Sequence, residues 1–134
     1  MAMADLNLLA VAAAIVAAFV ISSTWYSVFG TRMLELRGIA PTQEQDPLPG
    51  WKVAVEVVRS AIVALAIAVG ASLLDLRGVR DALLAGVVVW IAFPVVLLAG
   101  SVIWEDVPTK LAAIHSGDWL LKLLAITTIV TLWR

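Results

Sequence analysis

Four long apolar stretches, separated by short polar segments, divide this chain. They lie at about residues 6–29, 51–74, 82–104 and 111–133, and each is long enough to cross a hydrocarbon core of about 30 Å as an α-helix. The longest polar interruption is a loop at residues 30–50, whereas the other two connections are tight turns. The pattern predicts an all-α polytopic membrane protein, in which residues 1–134 form a single domain folded as a four-transmembrane-helix bundle.

The fourth stretch carries three ionisable residues on one face. His115, Asp118 and Lys122 follow one another at i, i+3 and i+7, which places them within an arc of about 60° on a helix. Ionisable side chains at membrane depth are costly and mostly face a bundle interior or a water-filled cavity. Trp119 and Trp133 are alternative ends for this span, but only about 21 Å of helix separates them. The longer span is therefore favoured.

The second stretch carries charges at a matching depth. In a chain of four alternating crossings, the second and fourth helices both begin on the membrane side that carries residues 30–50, which we call the loop side. Counted inward from that side, Glu56 lies level with His115, and Arg59 lies level with Asp118. Buried ions need partners of opposite charge. The sequence therefore predicts pairs between the two helices, Arg59 with Asp118 and Glu56 with His115 or Lys122.

Aromatic and acidic residues end the first and third spans on this same side. Two interpretations remain open for the whole group. The ion pairs either fix helix register beside ordinary interfacial aromatic belts, or they line a polar vestibule that opens to the loop side. Histidine exchanges protons near neutral pH, which favours chemistry at such a site. The vestibule residues in the second interpretation are Glu56, Arg59, His115, Asp118, Lys122, Trp25, Tyr26, Trp104 and Glu105.

Small residues form a ridge along the first span. Ala10, Ala14, Ala18 and Ser22 recur every four residues, and such a ridge lets helices approach closely. We expect this ridge to pack within the bundle or in an oligomer, in preference to forming a groove for a lipid or ligand.

Composition narrows the chemistry that the chain can perform. Hydrophobic residues make up 63% of the chain and charged residues 14%, and there is no cysteine. A disulfide framework and a thiol nucleophile are thereby excluded. One histidine among scattered acids offers too few ligands at suitable spacing for a typical metal site, and no glycine-rich phosphate loop or serine nucleophile motif occurs. We expect no cofactor, no metal and no catalytic residue, and an enzyme is the least favoured class.

Charge also bears on partners and orientation. A net charge of −1 leaves no basic surface for a nucleic acid, so the expected partners are the lipid bilayer, a small molecule or ion as substrate, and further copies of the chain. We expect a homo-oligomer, a dimer or larger, because four short helices enclose little volume. The loop side carries slightly more Lys and Arg than the opposite side. This bias favours a multi-pass protein with the loop side in the cytoplasm and both termini outside, although the near balance also permits dual insertion.

The end of the first span carries a family resemblance. Residues 25–30 read WYSVFG, and with the polar loop and three further spans they resemble the small bacterial membrane family described as domain of unknown function 1761. The acidic entry into the last helix, at Trp104-Glu105 and residues 111–121, resembles that of the family. The resemblance implies four helices, a location in a bacterial inner membrane and no established activity. Two hypotheses follow, a small transporter or channel-like protein and a non-catalytic accessory or assembly subunit of a membrane complex.

Overall fold

Four long helices form the protein in the computed structural model, which describes residues 5–39 and 49–134. All four are long and apolar enough to cross a membrane, and no strand occurs in the described ranges. The prediction of an all-α bundle with four spans is confirmed. The helices are α1 at Leu8–Leu36, α2 at Gly50–Leu73, α3 at Gly78–Trp104 and α4 at Thr109–Leu132.

Helix α1 is longer than the apolar stretch at residues 6–29. It continues through the first part of the predicted polar loop and ends at Leu36. Two features support the extension: the Met33 side chain is buried, and Arg32 and Glu35 form an i,i+3 ion pair at 3.0 Å. The central part of the predicted loop, residues 40–48, lies outside the described residues.

Helix α3 is interrupted by a π-helical turn at Ile91–Val95, which contains Pro94. Proline has no backbone N–H to donate, and a π-turn accommodates the missing hydrogen bond. Before this turn α3 packs closely along α4, whereas after it the contacts with α4 are sparse and no residue of Val96–Trp104 is buried. The turn therefore separates a half of α3 that holds the bundle together from a half that diverges on the loop side.

The core lies toward the opposite side of the membrane and consists mainly of small residues. The ridge of α1 packs against alanines of α2 and branched side chains of α4, so its packing within the bundle is confirmed. Because these side chains are small, the helices approach one another closely and fill the core without large side chains, as is typical of helix contacts in lipid. The buried members of this core are Val11, Ala14, Ala18, Ala64, Ala68, Ala71, Ile126 and Val130.

Hydrogen bonds connect the helix ends beyond this core, on the side opposite the loop. The Arg134 side chain donates to the carbonyl oxygen of Ala71 at 3.1 Å and also to that of Leu76. Asn7 donates through Nδ2 to the Trp133 carbonyl oxygen at 3.1 Å. The turn between α2 and α3 and the start of α1 are thus both tied to the end of α4, and the bundle is closed on the side opposite the loop.

The small-residue core makes a first prediction about stability. Ala14 is fully buried, whereas Ala12 lies at almost the same depth on the exposed face of α1. We expect Ala14→Leu to lower the free energy of unfolding by about 1–3 kcal/mol through overpacking, and Ala12→Leu to change it by less than about 0.5 kcal/mol. Unfolding by SDS titration in mixed micelles measures both values, and equal effects would contradict this packing.

Candidate functional site

An open cavity of about 810 Å³ lies on the loop side, between α1, α2 and α4, and Leu98 of α3 also lines it. It forms where the first half of α2 and the second half of α3 diverge from the other helices. The buried residues of α2 all lie in its second half, from Ala64 onward. Six of the nine predicted site residues line this cavity, namely Tyr26, Glu56, Arg59, His115, Asp118 and Lys122.

Asp118 and Lys122 form a buried ion pair one turn apart on α4. Their side chains are 1% and 9% exposed, and Lys122 Nζ lies 2.9 Å from Asp118 Oδ2. Ser22 of α1 donates to the other carboxylate oxygen, Oδ1, at 2.8 Å. The Lys122 ammonium also lies 3.9 Å from the centroid of the Trp119 ring, within the range of a cation–π contact. Both buried charges are therefore compensated without a ligand.

Tyr26 links this pair to the histidine. Its hydroxyl oxygen lies 2.8 Å from His115 Nδ1, and it lies within 3.4 Å of Asp118 Oδ2, to which it is able to donate. The 3.4 Å contact is long for an O–H···O hydrogen bond, so the contact with the imidazole is the stronger one. Tyr26 thus lies between the imidazole and the carboxylate, with a polar network running from His115 through Tyr26 to Asp118.

The predicted pairs between α2 and α4 are wrong. Arg59 pairs with Glu56 on its own helix at 2.5 Å, and Lys122 pairs with Asp118. No ion pair joins α2 to α4 at His115, Asp118 or Lys122 in the described ranges. The physical reason is that i,i+3 and i,i+4 neighbours neutralise each charge locally, while the first half of α2 diverges from α4. The cavity occupies the space between the two helices.

The structure does not bring the other three predicted residues to this cavity. Trp25 lies on a different face of α1, where it lines a separate apolar groove and donates through Nε1 to the Ile114 carbonyl oxygen at 2.9 Å. Trp104 is 85% exposed at the end of α3, and Glu105 follows it. The divergence of α3 after its π-turn carries these two residues away from α4.

Two contributors were not predicted from the sequence. Ser22 is not among the nine residues predicted for the vestibule, although its place one turn before Tyr26 signals that it shares the polar face of α1. Trp90 donates through Nε1 to the Ser116 carbonyl oxygen at 2.9 Å. With Trp25 on the neighbouring face, it holds the first turns of α4 from two sides. No sequence signal pointed to the role of Trp90.

The cavity lining carries an excess of positive charge. Its cations are Arg37, Arg59 and Lys122, and its anions are Glu56 and Asp118. Both carboxylates are paired, whereas Arg37 forms no ion pair with a residue in the described ranges. Within residues 5–39 and 49–134 no three acidic or histidine side chains are grouped as a metal ion would require. The site is therefore a cavity that combines polar and apolar lining residues with two internal ion pairs.

A family model described as a protein of unknown function (DUF1761) matches residues 9–131. The chain belongs to this family. All residues that line the cavity of this DUF1761 protein fall within the matched range, and the family description assigns no activity to them. No curated protein and no solved structure matches the chain.

Proposed function

We propose that this membrane protein is a small transporter whose loop-side cavity admits a polar solute or ion to the Asp118–Lys122 pair. The observation that carries the proposal is the open cavity of about 810 Å³, which reaches from the loop side to a carboxylate that is 1% exposed. This volume falls in the range of about 300–1,000 Å³ that is typical of small-molecule sites. Ion pairs that only fix helix register do not require an open polar cavity beside them.

The shape of the bundle supports this proposal. Transport by alternating access needs a path that is open on one side and closed on the other. Here α2 and the end of α3 diverge on the loop side, while alanines of α1 and α2 close the opposite half. The slight excess of Lys and Arg on the loop side favours an orientation with that side in the cytoplasm of a bacterial cell. A homo-oligomer would complete the enclosure that four short helices leave open.

A second candidate is an accessory subunit of a membrane complex. It is favoured by one observation: the charges at the cavity are already satisfied. Each ion pair joins two residues of the same helix, and Asp118 also accepts a hydrogen bond from Ser22. On this view the polar network is structural and nothing passes through the cavity. The two candidates differ in whether the cavity ever becomes accessible from the opposite side of the membrane.

Single cysteines distinguish them, since the chain has no native cysteine. Ser60 of α2 lines the cavity, while Ile62, half a turn further along, is exposed and lies outside the lining. We expect Ser60→Cys to react quickly with membrane-impermeant methanethiosulfonate reagents from the loop side and slowly from the opposite side. Ile62→Cys should stay unreactive, because a thiol among lipid chains does not ionise to the reactive thiolate. Right-side-out and inside-out vesicles provide the two directions.

Two outcomes would overturn the proposal. If Ser60→Cys reacts only from the loop side, with no labelling from the opposite side over hours, the cavity has a single opening and the accessory subunit is favoured. A lack of reaction from either side, in protein whose SDS unfolding matches that of the native chain, would mean that the cavity is not open to water.

A further inference from the structure

The chain contains one histidine and one tyrosine, and the two residues meet in the cavity. Their polar atoms, Tyr26 Oη and His115 Nδ1, are 2.8 Å apart. The same hydroxyl also reaches Asp118 Oδ2 at 3.4 Å. A phenolic hydroxyl has a single proton, so at any moment Tyr26 donates to one of these two acceptors.

The protonation state of His115 decides which acceptor is available. In the neutral tautomer that carries its hydrogen on Nε2, Nδ1 lacks a hydrogen and accepts the hydrogen bond from the Tyr26 hydroxyl. In the imidazolium both nitrogens carry hydrogens and act only as donors. Nδ1–H then donates to Tyr26 Oη, and the hydroxyl turns about its C–O bond toward the remaining acceptor, Asp118 Oδ2.

The turned hydroxyl meets an oxygen that is already in use. Asp118 Oδ2 is the atom that pairs with Lys122 Nζ at 2.9 Å, whereas Ser22 donates to Oδ1. A second donor on Oδ2 shares the negative charge with the lysine ammonium and so loosens its attachment. A proton on His115 therefore acts on the buried ion pair one turn further along α4.

We propose that His115 is a proton-binding site whose occupancy Tyr26 transmits to the Asp118–Lys122 pair, so that the proton is a coupling ion of this protein. The inference rests on the proposed function, because the cavity supplies the path from solvent. The step is balanced: a hydronium ion in the cavity gives up one proton and becomes water, one N–H bond forms on the imidazole, and Tyr26 keeps its own proton while its hydroxyl rotates.

Several other charged groups face the imidazole and set the field in which it binds a proton. They come from three of the four helices that line the cavity, with α1 supplying one cation, α2 an ion pair and α4 the buried pair, while α3 contributes only Leu98. Apart from Tyr26, these groups are Arg37, Glu56, Arg59, Asp118 and Lys122.

The single copies of His and Tyr make a direct test practical in the full chain. Protein labelled with ¹⁵N-histidine and ¹³Cζ-tyrosine gives one signal set for each residue in lipid nanodiscs. Over about pH 4–9, which brackets the ordinary titration of histidine, we expect the His115 nitrogens to change from one protonated nitrogen to two. The Tyr26 Cζ signal should shift with the same midpoint, because the hydroxyl changes its acceptor.

The control is His115→Gln, in which the Tyr26 signal should stay constant over this range, since tyrosine itself ionises only near pH 10. A Tyr26 signal that stays constant while native His115 titrates would overturn the proposal. So would a His115 that stays neutral throughout, or a Tyr26 shift that persists in His115→Gln.

The labelling of Ser60→Cys is independent of these signals. If Tyr26 titrates together with His115 but Ser60→Cys does not react, the proton-binding proposal stands and the transport proposal fails. If Ser60→Cys reacts from both sides but the Tyr26 signal does not change, the transport proposal stands and the proton-binding proposal fails.

Discussion

Replacing Asp118 with leucine should lower the free energy of unfolding by about 3–5 kcal/mol, the cost of leaving one partner of a buried ion pair uncompensated. Lys122, whose side chain is 9% exposed, would lose the carboxylate at 2.9 Å. Its contact with the Trp119 ring would remain, but a cation–π contact contributes only about 0.5–2 kcal/mol. Unfolding by SDS titration in mixed micelles measures the loss.

The second ion pair provides a matched control. Glu56 and Arg59 are also one turn apart, but their side chains are about half exposed at 48% and 55%. Glu56→Leu should therefore cost at most about 1 kcal/mol. The double variant Asp118→Leu/Lys122→Leu should cost less than Asp118→Leu alone, because no buried charge remains. A double variant whose loss equals the sum of the two single losses would show that the pair contributes nothing as a pair.

Gly117→Ala should have the second largest effect, a loss of about 2–4 kcal/mol from overpacking and a broken hydrogen bond. A β-carbon at Gly117 would lie 2.5 Å from Trp25 Cζ2 and 2.9 Å from its Cη2. The indole has little room to retreat, because its Nε1 is bonded to the Ile114 carbonyl oxygen and its ring packs on Phe29 at a centroid distance of 4.6 Å. Thermal and SDS unfolding of the variant provide the measurement.

Gly100 is the matched control on α3. Nothing lies within 4 Å of a β-carbon built there, so Gly100→Ala should leave stability unchanged or raise it by up to about 1 kcal/mol through helix propensity. In a Trp25→Leu background the Gly117→Ala change should cost far less than in the native chain. An equal cost in both backgrounds would place the clash elsewhere than on the indole.

The relative position of the cavity residues of α2 and α4 along the bundle axis was predictable from the sequence. A helix rises by about 1.5 Å per residue, so counting from the loop side was enough to place Glu56 near the level of His115 and Arg59 near that of Asp118. All four residues line one cavity in the structure. The four-helix architecture followed from the same one-dimensional information, the length of each apolar stretch.

Rotation and divergence of the helices were not predictable in this way. Neighbouring residues on a helix point about 100° apart, and Tyr26 lines the cavity while Trp25 lines the separate apolar groove. The sequence assigned both to one vestibule. Likewise, the i,i+3 and i,i+4 spacings that revealed the charged faces also allowed each charge to be satisfied locally. Choosing between local and cross-helix pairs required the distance between α2 and α4, which hydropathy does not contain.

Because Asp118 and Lys122 lie on one helix, α4 carries them through the membrane field as an electrically neutral unit. Moving a full charge across the membrane potential changes the free energy by about 2.3 kcal/mol per 100 mV, but a displacement of the paired charges together performs almost no electrical work. A cross-helix pair would have lacked this property whenever its two helices moved apart. The membrane voltage therefore acts only weakly on a movement of this pair, whereas it acts fully on a charge that enters the cavity, such as a proton on His115 or a charged solute.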